Sequence, residues 1–226
     1  MNIAIVLAGG TGTRLGADIP KQYLEVAGRP VIAYCLQTLE EHAQIDAIQI
    51  VAEETWRPLV QKWAGEKLRG FSQPGENRQL SILSGLEDAT AYASPEDVVL
   101  IQDAARPNTS AKLIRECVSL AAGEEGRMPV LPMKDTVYLS EDGRKVSSLL
   151  HREQIFAGQA PEAFCFGRYI KANRALLPDR ILQINGSTEP AILAGMNIGM
   201  IAGEEENYKI TTMEDFKRFC RKIENG

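Results

Sequence analysis

Residues 7–16 read Leu7-Ala8-Gly9-Gly10-Thr11-Gly12-Thr13-Arg14-Leu15-Gly16, and Pro20-Lys21-Gln22 follow. Gly9, Gly10 and Gly12 free the backbone to curl until its N–H groups converge, and convergent N–H groups bind anions. Arg14 and Lys21 then add mobile positive charge beside that cradle. The combination suits a polyphosphate whose charge rises during reaction, with Arg14 and Lys21 as its catalytic cations. A plain strand-to-helix turn would explain the glycines and leave Arg14 and Lys21 without a task. Two other glycine loops do not match. A dinucleotide fingerprint starting at Gly10 and Gly12 would need its third glycine at Leu15, and a P-loop would need a Gly-Lys pair that is not there.

Other residues fall where strands should end. Asp103 closes Val98-Val99-Leu100-Ile101-Gln102-Asp103, with Arg106-Pro107 on the same loop. Mg²⁺ takes one or two protein carboxylates besides phosphate oxygens and water, so a single Asp103 suffices as its ligand. An Asp capping the helix near Ser110, or an ion pair with Arg106, is the alternative. Lys134-Asp135-Thr136 and Lys209-Ile210-Thr211 also reach the rim, Lys209 as a phosphate contact. Ser81, preceded by Gly75-Glu76-Asn77-Arg78, is either an N-cap or a ligand contact. The chain has two histidines, His42 and His151, and His42 follows a helix in a polar turn, which argues against a histidine general base. No nucleophile-elbow or zincin motif occurs. The reaction therefore needs a nucleophile that is already anionic. A phosphate monoester attacking the α-phosphorus of a nucleoside triphosphate meets that requirement through positioning and charge stabilisation alone.

These residues need a scaffold, and 226 residues suit one large α/β domain. A net charge of −5 without a basic stretch excludes a nucleic-acid surface. Cys35, Cys117, Cys165 and Cys220 are far apart and form no metal or disulfide pattern, as in a reducing cytoplasm. No leader or membrane segment is expected. Strands are predicted at Asn2 to Leu7, Ala47 to Ala52, Val98 to Gln102, Met128 to Pro132 and Ile198 to Ile201. Helices are predicted at Val31 to Glu41, Trp56 to Ala64, Gln79 to Ala91, Ser110 to Ala122 and Phe166 to Leu176, with a capping box at Thr211 to Glu214. That alternation implies a mostly parallel sheet covered on both faces. Thr136 to Leu139 and Lys145 to Leu150 flank Asp142-Gly143, a hairpin signal. The hairpin is expected to project as an arm over about residues 136–160, stabilised by a second copy of the chain.

With these residues assembled, nearly the whole chain resembles the cytidylyltransferases of 2-C-methyl-D-erythritol 4-phosphate and ribitol 5-phosphate. The resemblance implies an α/β, Rossmann-like nucleotidyltransferase fold, a homodimer, and Mg²⁺-dependent transfer of CMP from CTP to a polyol phosphate. Methylerythritol phosphate is slightly favoured as acceptor. It implies that Ala8, Gly9, Gly10, Thr11, Gly12 and Thr13 hold CTP, and that Arg14 and Lys21 bind the triphosphate and stabilise pentavalent phosphorus. Gly75 and Ser81 fall at cytosine and ribose contacts, Asp103 at the metal, and Lys209 near the phosphates. Arg106, Thr136 and Arg152 would serve the acceptor, Arg152 from the partner's arm. Three segments depart from the family pattern: Ala160-Pro161-Glu162 replaces Thr-Pro-Gln, Asn185 to Pro190 replaces a Thr-Asp segment, and Asn108 replaces Phe. Other readings are a sugar-phosphate nucleotidyltransferase using another triphosphate, and a catalytically silent nucleotide sensor.

Overall fold

A computed structural model describes residues 1–10 and 19–225. In chain order its elements are β1 (Asn2–Leu7), β2 (Glu25–Val26), β3 (Arg29–Pro30), α1 (Val31–Glu41), β4 (Ala47–Val51), α2 (Arg57–Gln61), β5 (Leu68–Ser72) and α3 (Arg78–Ala89). There follow β6 (Val98–Asp103), α4 (Ala111–Val118), β7 (Gly126–Pro132), β8 (Val137–Leu139), β9 (Ser148–Leu150), β10 (Phe156–Gly158), β11 (Glu162–Cys165), α5 (Phe166–Arg174), α6 (Glu189–Leu193), β12 (Ile198–Ala202) and α7 (Met213–Asn225).

The main sheet runs β5-β4-β1-β6-β11-β7, with β12 on the outer edge of β7 and β10 following β11 on its inner edge. β5, β4, β1 and β6 are mutually parallel, and β12 is parallel to β7. β11 runs antiparallel to both β6 and β7, so only it and β10 oppose the common direction. Burial on both faces explains the unbroken apolar run of β1. Ala4 and Val6 pack with Ile32, Leu36 and Ile114 of α1 and α4. Ile5, on the other face, packs with Ile82, Leu86 and Tyr169 of α3 and α5. A smaller cluster of Val26, Val31, Ile210 and Phe219 docks α7.

Several elements differ from expectation. β5 (Leu-Arg-Gly-Phe-Ser) carries no apolar run because it is an edge strand, half-buried along most of its length. The helix expected from Trp56 to Ala64 splits into a 3₁₀ turn and a short α2, with Pro58 in its first turn. α4 stops at Val118. The cap of α7 is shifted by one residue. Thr212 Oγ1 accepts from the Asp215 N–H (3.2 Å), and Asp215 accepts from the N–H of Thr212 (2.8 Å) and of Thr211 (2.9 Å).

The arm expected over residues 136–160 divides in two. β8 and β9 pair with each other, Val137 opposite Leu150, around a turn in which Asp142 accepts from the N–H of Arg144 and Lys145. Gly143 takes a φ of +69° there. β10 leaves the hairpin and rejoins the main sheet, Phe156 opposite Pro132. Tyr138, Leu139, Val146 and Leu149 of the hairpin are exposed.

Candidate active site

β1 lies between β4 and β6, so the chain leaves its carboxyl end where the strand order turns both ways, and in open α/β sheets ligands bind at that point. A cleft of about 450 Å³ opens there. Gly9, Gly10, Lys21, Gly75, Arg78, Ser81, Asp103 and Lys209 are among its lining residues. The structure thus brings most of the expected nucleotide-side residues together around one cavity. Thr11, Gly12, Thr13 and Arg14 lie outside the described residues.

The glycine loop is held from below. Gln22 Nε2 donates to the carbonyls of Ala8 (2.6 Å) and Gly10 (2.7 Å), and the Tyr23 hydroxyl donates to Ala8 as well (2.8 Å). Tyr23 stacks on Trp56 with ring centroids 4.4 Å apart. Ala8 therefore serves the loop through its carbonyl and is itself buried. Glycine is required at position 9 by close approach, since a Cβ there would stand 2.4 Å from Pro74 Cβ. Gly75 is as constrained: a Cβ would meet Leu80 Cβ at 2.4 Å and backbone at 2.7 and 2.9 Å. Ser81 is not the cap of α3. Asn77 is, accepting from the Leu80 N–H at 2.8 Å. Ser81 instead fixes the preceding turn, accepting from the Gly75 N–H (3.0 Å) and donating to the Asn77 carbonyl (2.9 Å).

Asp103 ends β6 directly beside Leu7 of β1, and its carboxylate is buried among three cations. Lys209 Nζ lies 3.0 Å from Oδ2, Arg106 Nε 3.6 Å from Oδ2, and Arg78 Nη2 3.1 Å from Oδ1. Burial alone would raise its pKa, but Arg78, Lys209 and Arg106 hold it well below the usual carboxylate range. Asp103 is not the cap of α4. Ser110 fills that role, accepting from Leu113 at 3.0 Å. Among the described residues no three His, Cys, Asp or Glu side chains converge to hold an ion, so an ion at Asp103 would have this one carboxylate beside phosphate oxygens and water. The carboxylate expected to ligate Mg²⁺ is taken up by three positive charges, a donor set that does not fit a resident divalent ion.

Arg106 is largely buried and donates to the Asn207 carbonyl. Asn207 is fully buried and ties three segments together, accepting from Thr109 Oγ1 (3.0 Å) and donating to the Ala160 carbonyl (2.8 Å). With the Ile210 N–H on the Ala105 carbonyl (2.8 Å), this staple brings Lys209 to Asp103. Thr136 and Arg152 lie elsewhere. Both are exposed on the arm, where Arg152 donates to the Lys134 carbonyl (3.0 Å) and lies 3.5 Å from Glu153. Within one chain they do not join the cleft.

Sequence reasoning gave no role to Arg78, Asn207 or the clamp of Gln22 and Tyr23. Asn77 was the available signal for Arg78, because a capping Asn puts the next residue in the first helical turn beside the cleft. Glu162 and the Ser187-Thr188 pair, both in segments that depart from the family pattern, meet in space. The buried Glu162 carboxylate accepts from the Ser187 hydroxyl and from Thr188 Oγ1 (3.1 Å). Burial raises its pKa, opposed by Arg78 and the Ser187 hydroxyl. His42 is a loop brace, its Nε2 lying 3.0 Å from the Ala111 carbonyl.

A mostly parallel α/β sheet with a cation-lined cleft at its switch point defines a nucleotidyltransferase-like protein. Residues 2–220 match the family model described as "IspD: 2-C-methyl-D-erythritol 4-phosphate cytidylyltransferase". A 2-C-methyl-D-erythritol 4-phosphate cytidylyltransferase of Geotalea uraniireducens is 33% identical over 94% of this chain and 92% of its own. A ribitol-5-phosphate cytidylyltransferase of Streptococcus agalactiae is 30% identical over 97% and 94%. The crystal structure of 4-diphosphocytidyl-2C-methyl-D-erythritol synthase from Anaerococcus prevotii shares the fold, with a TM-score of 0.83 at 23% identity over 99% of this chain and 96% of that one. The chain belongs to the IspD family of cytidylyltransferases, and it is an enzyme of the nucleotidyltransferase class.

Proposed function

We propose that the protein transfers CMP from CTP to a polyol phosphate, with 2-C-methyl-D-erythritol 4-phosphate favoured over ribitol 5-phosphate, and releases pyrophosphate. The observation that carries this reading is the cluster of Lys209, Arg78 and Arg106 around Asp103, of which Lys209, Arg78 and Asp103 line the glycine-loop cleft. An oxygen of the acceptor phosphate, already ionised, attacks the α-phosphorus. The bond from that phosphorus to the bridging oxygen breaks, and pyrophosphate leaves with the electron pair. No proton has to move, which suits a cleft whose lining includes no histidine among the described residues. Lys21, Lys209 and Arg14 stabilise the added charge of the transition state. Asp103 keeps Lys209 and Arg78 aimed into the cleft. Mg²⁺ carried in with the triphosphate as part of the nucleotide substrate would supply further neutralisation of phosphate charge.

The exposed hairpin, with Tyr138, Leu139, Val146 and Leu149 unburied, supports a homodimer in which the arm carries Thr136 and Arg152 to the partner's cleft. No helix among the described residues is long and apolar enough to cross a membrane, and the protein is proposed to work in the cytoplasm. Pyrophosphate release with CTP, UTP, ATP and GTP, each against both acceptors, tests the reading. Turnover confined to CTP is expected. A preference for UTP, or no turnover with any pair, would overturn it. Lys21→Ala should lower kcat at least about a hundredfold with the fold intact.

A further inference from the structure

Among the buried ionisable groups, Glu162 has no part in the reaction as described. β11 is antiparallel, so its first residue stands at the carboxyl end of β6, with Glu162 opposite Ile101. β11 lies on the far side of β6 from β1, toward β7 and the arm. Glu162 therefore stands across β6 from the glycine loop, on the half of the rim that the proposed function leaves to the acceptor. Its two oxygens accept from Ser187 and Thr188, neutral donors that orient it without cancelling its charge. The cation it faces is Arg78, whose Nη2 is 4.0 Å from Oε2.

Arg78 is held along one edge by Asp103 Oδ1, from Nη2 (3.1 Å) and Nε (3.4 Å). Asp103 also serves Lys209 and Arg106, so one carboxylate is shared by three cations. A long side chain with a single shared anchor has room to move, and a second carboxylate 4.0 Å away on another strand draws its guanidinium toward β11 by charge attraction. We propose that Glu162 is a positioning residue that holds Arg78 over the acceptor half of the cleft, and so sets acceptor affinity without touching either substrate.

The inference rests on the cytidylyl-transfer reading, and two experiments keep the two claims apart. In pyrophosphate release with CTP and the better of the two polyol phosphates, Glu162→Gln should raise the acceptor KM roughly tenfold. It should change the CTP KM by less than about threefold. Ser187→Ala, which removes one of the two hydroxyls that orient Glu162, should move the acceptor KM less than about threefold. Equal effects of Glu162→Gln on both KM values, or a Ser187→Ala effect as large as that of Glu162→Gln, would reduce Glu162 to a brace for the 187–188 turn and overturn the proposal. The second experiment is a melting-temperature cycle on wild type, Glu162→Gln, Arg78→Met and the double variant. Arg78→Met should lower Tm by more in the wild type than in the Glu162→Gln background. An equal drop in both would overturn the tether. If the wild type released no pyrophosphate with either acceptor, the proposed function would fall, and the melting cycle would still decide the tether.

Discussion

Replacing Asp103 by Asn tests the charge cluster directly, because Asn keeps the shape and removes the charge. At an effective dielectric of about 20, ion pairs at 3.0, 3.1 and 3.6 Å are each worth about 5 kcal/mol gross. Mutual repulsion of the three cations and desolvation of the buried carboxylate offset most of that. Lys209 and Arg78 also keep a third of their side-chain surface exposed, which screens their share. Breaking a buried pair from one side typically destabilises by about 3–5 kcal/mol, and the lower end is expected here. For a chain of this length that is a fall in Tm of roughly 6–12 °C. The effect depends on pH with a definite sign. The folded pKa of Asp103 lies below its ordinary value, so its contribution is full above about pH 5 and fades as pH falls below about 4. The gap in Tm between wild type and Asp103→Asn should therefore be constant near neutrality and close in acid. Pyrophosphate should bind the variant more tightly, since three cations have lost their shared counter-ion, while turnover falls. Circular-dichroism melts from pH 3 to pH 8 and a pyrophosphate titration measure both effects. A Tm within about 1 °C of wild type at pH 7, with unchanged pyrophosphate affinity, would refute the account of Asp103 as the common anchor.

Gly75→Ala pushes a Cβ against Leu80 and the backbone of α3, at 2.4 to 2.9 Å. It should destabilise by about 1–3 kcal/mol and weaken CTP binding. Gly10→Ala, with no atom of the described residues within 4 Å of the new Cβ, should melt near wild type, and the pair can be compared in one melting series with a CTP titration. Gln22→Ala leaves the Gly10 carbonyl without its donor and should lower stability by about 1–2 kcal/mol in urea unfolding. Tyr23→Phe should be milder, because Ala8 keeps Gln22. Joint replacement of Tyr138 and Leu149 by Ser should shift the elution of the protein from dimer to monomer in size-exclusion chromatography, with Tm measured alongside as a check on the fold.

How far the fold could be read from the sequence depended on how each element is buried. β1, β4 and β6 lie inside the sheet and are covered on both faces, so their apolar runs mark them nearly to the residue. β5 and β11 gave no such signal. β5 is an edge strand with Arg69 and Gly70 in its middle, and β11 begins with a carboxylate because its first residue faces the rim. Period also misleads where helices are short. α2 and α4 end well before their apolar pattern does. At α7 the choice of capping residue was off by one because Thr211 and Thr212 are adjacent and both Glu214 and Asp215 can reciprocate; the structure selects Thr212 with Asp215, whose pKa falls to about 2 as backbone and threonine donors outweigh burial.

The site divides along the same line. Residues that act through local backbone geometry, such as Gly9 and Asp103 at a strand end, announce themselves by spacing, whereas Gly75 is marked only through the family resemblance. Residues that act through tertiary pairing do not announce themselves by spacing. Arg78 and Asp103 are separated by 25 positions, and Asn207 reaches Ala160 across 47. Glu162 is the sharpest case. Read along the chain, its carboxylate and the Ser187-Thr188 pair are two unrelated departures from the family pattern. In the folded protein the hydroxyls of one orient the carboxylate of the other, and both stand behind Arg78. Changes that meet in this way are coupled, so substituting either segment alone would leave a buried carboxylate without its donors, or hydroxyls without their acceptor. These two departures therefore form one physical unit, and on the proposed function that unit is placed to act on the choice of polyol phosphate.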